Sequence, residues 1–148
     1  MSVVRQDTDY AMRVMVDLAR HYEQEALSAR QLALAGAISY QFACKILQQL
    51  HAANLVQSAL GSRGGYCLSR PPAQITLRDI IEAVQGPVLV NKCMLGLDKC
   101  TRQLCCTVSK KLAELQDYVG SFLTGVTLDQ LCQNRYPEEK VSPNNVKA

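Results

Sequence analysis

The residues with the most distinctive chemistry in this 148-residue chain are its seven cysteines. Cys93, Cys100, Cys105 and Cys106 crowd into one segment, whereas Cys44, Cys67 and Cys132 stand apart. An odd count, with no apolar signal region at the N-terminus, argues against a secreted disulfide framework; clustered thiols in a reducing compartment hold a metal or sense redox state. Six residues separate Cys93 from Cys100, and four or five separate Cys100 from Cys105 or Cys106. This spacing lacks the Cys-x2-Cys knuckles common in structural zinc sites. Three thiolates spread along a loop suit an iron–sulfur cluster, whose several irons need ligands farther apart than a single ion does. The three isolated cysteines fall on apolar faces and are expected to pack as small hydrophobes.

A second chemistry lies in the charge pattern. The net charge is only +3, yet no Asp or Glu occurs between Glu25 and Asp79, a stretch that contains Arg30, Lys45, Arg63, Arg70 and Arg78. Such a surface can approach phosphates. The only histidines are His21 and His51, and no nucleophile–base pair or Gly-rich phosphate loop appears, which argues against an enzyme or a small-molecule substrate. Hydrophobic residues make up 48% of the chain, enough for a real core in one domain, and no apolar run is long enough to span a membrane. A soluble cytoplasmic protein is expected.

These residues need elements to position them. Residues 8–22 carry apolar positions at helical spacing. Ser28 can cap a short helix from Ala29 to Leu34, ended near Gly36, and Ser39 can cap a third helix with Phe42, Ala43, Ile46, Leu47 and Leu50 on one face. Two helices joined by a tight turn make a helix-turn-helix candidate. Leu55-Val56 opens a strand, Gly61 to Gly65 reads as a hairpin tip, and Tyr66-Cys67-Leu68 returns, so a β-wing follows directly. Thr76 caps a further helix, stopped by Gly86-Pro87. The expected fold is mainly α with a small β-wing: a winged helix-turn-helix over 1–86, a cysteine-bearing loop over 87–106, a long dimerisation helix with a short final helix over 107–133, and a disordered tail over 134–148. Val108, Leu112, Leu115, Val119 and Phe122 recur at spacings of four, three, four and three, a narrow heptad seam that suits pairing with a second chain. Two heptads need help from the winged domain to pair stably.

Within that frame, Ser39, Tyr40 and Gln41 open the reading helix, where short side chains reach base edges. Gln41 can pair bidentately with adenine; Ser39 can donate to a phosphate or base, or serve only as the helix cap. Tyr40 is either a phosphate contact or half-buried packing, and Lys45 neutralises a phosphate. Arg63 sits between wing-tip glycines, the arrangement an arginine needs to enter a narrow minor groove.

The sequence resembles the winged-helix transcription regulators of the IscR/NsrR type. The resemblance covers nearly all of residues 3–133. It rests on Thr8 to Arg13, Ile38-Ser39, Ile46 to Leu50, Leu55-Val56, Gly61 to Tyr66, Ile75 to Val84, Phe122-Leu123 and Val126 to Leu131. It implies a homodimer on a palindromic double-stranded DNA operator, with the third helices in successive major grooves and the wings in the minor groove. It also implies a cluster held by three cysteines of the loop. Counting back from Phe122, Cys106 rather than Cys105 takes the place of the third ligand, giving Cys93, Cys100 and Cys106. Ser109 stands where IscR-like members carry a histidine ligand, and Asp9 matches an aspartate that serves as fourth ligand in the NsrR branch, delivered from the other subunit. Asp9 can equally be a first-turn residue stabilised by the helix dipole. Carboxylate ligation favours a four-iron cluster, with a two-iron one kept open. The expected function is a repressor that senses redox, nitric oxide or iron–sulfur status. The alternative is a cluster-free regulator of the same fold, controlled by a partner protein or thiol oxidation. Leu60 replaces a basic residue frequent in the family, so the wing's grip should depend on Arg63.

Overall fold

The computed structural model describes residues 3–91 and 106–133. The expected loop interior with Cys93, Cys100 and Cys105, and the expected tail, lie outside the described residues. Helices α1 (Gln6–Arg20), α2 (Ala29–Ala35) and α3 (Tyr40–Ala52) are followed by strands β1 (Val56–Ala59) and β2 (Gly65–Leu68). After a single 3-10 turn at Pro72–Gln74 come α4 (Leu77–Gln85), α5 (Thr107–Gly125) and α6 (Leu128–Gln133).

Caps define where the helices start. Ser28 and Thr76 each accept from the backbone N–H three residues on while Gln31 and Asp79 reach back, forming two capping boxes. Between α2 and α3 the left-handed residue is Ala37 (φ 51°), not Gly36, which stays right-handed. Ile38 N–H donates to Ala33 O at 3.0 Å and Ala37 N–H to Leu34 O at 3.1 Å, a Schellman turn that satisfies the last carbonyls of α2.

The strands pair antiparallel from Val56 with Leu68 to Ala59 with Gly65. Leu27, just before the α2 cap, adds an isolated antiparallel bridge to β2: its N–H donates to Tyr66 O at 3.0 Å and its carbonyl accepts from Tyr66 N–H at 2.8 Å. The wing is therefore tied to the start of α2. Met15, Leu18, Leu32, Ile46, Leu47, Leu50, Leu55, Ile80 and Leu128 meet in one core, which draws α1 to α4 and α6 together. Removing apolar side chains from water is the main stabilising term here.

Helix α5 is different: Ser109 is its one buried residue. Its C-terminal end is joined to the winged domain by Leu77 N–H to Val126 O and Leu128 N–H to Ile75 O, both 2.8 Å. Midway along, the Gln116 carboxamide accepts from Val90 N–H at 2.8 Å and donates to Val88 O at 2.7 Å. That double bond of contacts holds the entrance of the cysteine segment against α5. No helix among the described residues is long and apolar enough to cross a membrane.

Candidate nucleic-acid interface and cysteine centre

The amphipathic pattern of α3 decides what it offers. Ala43, Ile46, Leu47 and Leu50 turn into the core, which leaves Tyr40, Gln41, Lys45 and Gln48 exposed and Cys44 half-buried between them. Ser39 accepts from Phe42 N–H at 3.2 Å, so its oxygen caps the helix while its hydroxyl proton stays free to be donated. Tyr40 is 52% exposed. The Cys44 thiol one turn on raises its phenol above the ordinary pKa. Cys44 therefore stands on the outward stripe of α3, not on the apolar face assigned to it from sequence. Gln48 completes the same stripe. Its one-turn spacing from Cys44 and two-turn spacing from Gln41 were the available signals for both residues.

The other two isolated cysteines are half-buried. Cys67 accepts from Gln57 Nε2 at 3.6 Å on the wing. Cys132 faces Val16 O at 3.8 Å, and burial pushes its thiol pKa up.

Arg63 stands exposed in the turn between the strands. Ion pairing separates the cations sharply. Among the described residues Arg5, Arg13, Arg20, Arg70, Arg78 and Lys111 each meet a carboxylate at 2.8–3.7 Å. Arg30, Lys45, Arg63 and Lys110 meet none, and three of these four belong to α2, α3 and the wing.

The first turn of α3 rests on α1. Phe42 takes the Tyr10 ring edge-on, with centroids 5.7 Å apart, and Arg13 lies 5.6 Å over the other partner, Tyr10. Arg13 in turn pairs with Asp9 at 2.9 Å. Asp9 is thus linked through one side chain to the packing beneath α3.

Cys106 occupies the N-cap position of α5, half-buried, with no side-chain cap hydrogen bond, so its sulfur is uncommitted. Its soft donor chemistry fits a cluster. The Asp9 carboxylate is engaged by Arg13 at 2.9 Å. Ser109 is buried in the first turn of α5, and a neutral hydroxyl there is a poor substitute for an imidazole. Among the described residues, no three His, Cys, Asp or Glu side chains gather as a metal site. Cys93 and Cys100, the other expected ligands, lie outside the described residues.

Residues 4–134 match the Rrf2 family, described as iron-dependent transcriptional regulators. The HTH-type transcriptional regulator IscR of Aliivibrio salmonicida is 27% identical over 139 residues, covering 94% of this chain and 82% of that protein. Among solved structures, T. potens IscR superposes with a TM-score of 0.69 at 27% identity, over 88% of this chain and 85% of its own. CymR, the global cysteine regulator of B. subtilis, shares the fold with a TM-score of 0.75 at 24% identity, over 92% of this chain and all of that one. These are transcription regulators, not enzymes, and the chain belongs to the Rrf2 family of winged-helix transcription regulators.

Proposed function

We propose that the protein is a dimeric repressor that binds a palindromic operator and reads redox, nitric oxide or iron–sulfur status through a cysteine-held cluster. The observation that carries the DNA half is the set of cations without carboxylate partners on α2, α3 and the wing, in a chain whose other described cations are mostly paired. An unbalanced cation on a reading surface is completed by a phosphate, with release of condensed counterions. Ser39, Tyr40, Gln41 and Lys45 then face the major groove, and Arg63 the minor groove.

For the sensing half, Cys93, Cys100 and Cys106 would hold the cluster, with Asp9 of the second subunit as fourth ligand and a four-iron form preferred over a two-iron one. The family description as iron-dependent regulators and the uncommitted Cys106 sulfur support this reading. When bound, such a cluster supplies a centre that responds to oxidants and nitric oxide, most readily at an iron with a carboxylate ligand.

Anaerobic purification followed by an absorption spectrum tests it. The expected result is an iron–sulfur chromophore that Cys93→Ala, Cys100→Ala and Cys106→Ala each abolish and Cys105→Ala keeps, with operator affinity changed in the first three only. A colourless protein that binds its operator, with all cysteine variants equal to the parent, leaves the DNA half and overturns the sensing half. It would favour the cluster-free regulator controlled by a partner protein or thiol oxidation.

A further inference from the structure

Of the unpaired cations, Arg30 and Lys110 sit outside the reading helix and the wing, and of these two Arg30 adjoins them, on α2. It lies in the first turn of α2, exposed, where the helix's own partial charge is positive and an arginine gains nothing from it. No carboxylate of the described residues approaches it. Its guanidinium instead lies 5.8 Å from the centre of the Tyr40 ring, the first residue of α3. A guanidinium held by a cation–π contact at that range, with no side-chain hydrogen bond or ion pair of its own among the described residues, keeps its N–H donors free, and that fork matches the oxygens of a phosphate. The helix preceding a reading helix is the one that crosses the nucleic-acid backbone.

From the Arg30–Tyr40 cation–π contact we infer that Arg30 is a further DNA contact: it takes a backbone phosphate beside the half-site, and Tyr40 positions it. The backbone around it is fixed by the Ser28–Gln31 capping box, with Ser28 N–H to Gln31 Oε1 at 2.8 Å, and by the two Leu27–Tyr66 hydrogen bonds to the wing. Arg30 is thereby placed in one rigid unit with both the reading helix and the wing. Its charge adds to the phosphate count without reading sequence. This rests on the DNA-binding reading above and extends the contact surface to α2.

The test uses the full chain and a duplex enriched from a random library by the parent protein, with affinity measured by fluorescence anisotropy across a series of potassium chloride concentrations. Each lost phosphate contact lowers the slope of log affinity against log salt by about 0.9. Arg30→Ala is expected to reduce the slope by that amount for each subunit engaged, Arg30→Lys to restore it, and Arg20→Ala, a cation held by Asp17, to keep the parent slope. Arg30→Ala with the parent slope, while Lys45→Ala lowers it, overturns the role of Arg30 and leaves the DNA reading intact. An equal loss in Arg20→Ala overturns it as well, since net charge alone then explains the effect. A parent protein whose duplex binding is insensitive to salt, or Lys45→Ala and Arg63→Ala variants that both match it, overturns the underlying reading together with this one.

Discussion

Arg63 projects from a turn whose next residues, Gly64 and Gly65, bring the backbone close to other segments. A Cβ on Gly64 would lie 2.8 Å from Ala59 O. With Leu60 beside it 98% exposed and uncharged, Arg63 is the only cation at the wing tip. Arg63→Ala should therefore weaken operator binding by about 1–3 kcal/mol, chiefly for AT-rich flanks with a narrow minor groove, as read from binding isotherms on AT-rich and GC-rich flanked duplexes. Equal isotherms would remove the wing from the interface. At this scale residue type was informative wherever chemistry is local. The cap oxygen of Ser39 and the uncommitted exposure of Gln41 and Lys45 follow from their place at a helix start. What was hidden is pairing between elements: nothing in the spacing of Asp9 and Arg13 reveals that Arg13 also covers Tyr10, or that Arg30 finds a ring on the next helix instead of a carboxylate.

The elements follow from caps, periodicity and turn chemistry, and their departures have physical causes. The sequence marks Gly36 as the turn residue, because glycine is the residue that most easily turns left-handed. The chain places that conformation one position later, at Ala37, because only there do the Ile38 and Ala37 N–H groups reach the Ala33 and Leu34 carbonyls. An alanine held left-handed is strained, so Ala37→Gly should raise stability by about 0.5–1 kcal/mol in urea unfolding with no change in DNA binding. Gly65 is the opposite case. A Cβ there would lie 2.6 Å from the Leu27 carbonyl carbon and oxygen, which are backbone atoms and cannot swing aside. Gly65→Ala should cost about 1–3 kcal/mol and loosen the wing from α2, seen as faster amide exchange at Leu27 and Tyr66. The glycine was legible as part of a hairpin tip. Its function as the site of close approach by a third segment was not, since that segment lies far away in sequence.

For the whole molecule, the decisive feature is a 19-residue helix that its own domain leaves largely uncovered. Val108 is 62%, Leu115 44% and Phe122 59% exposed, along the seam the heptad spacing marked out, with Leu112 and Val119 half-buried between them. Scattered apolar exposure is ordinary on a protein surface, whereas a contiguous stripe at heptad spacing marks an association site. The chain should thus be an obligate dimer, and sedimentation should show no folded monomer at micromolar concentration, while Phe122→Asp should release one. The same geometry sets how a signal at the cysteine segment could reach DNA. The α5 end is hydrogen-bonded to the α4 start, and Gln116 clasps the 88–90 backbone, so a reorientation of α5 against a second subunit would carry the winged domain with it. Half-site spacing is a strict geometric requirement, and a coupling of about 1–3 kcal/mol would change operator occupancy severalfold to a hundredfold. Gln116→Leu removes both clasp bonds while leaving the seam residues in place. It should keep the dimer in sedimentation, yet shrink severalfold the difference in operator affinity between anaerobically purified and chelator-stripped protein. A parent-sized difference in that variant would show that coupling runs through the α4–α5 junction alone and bypasses the clasp.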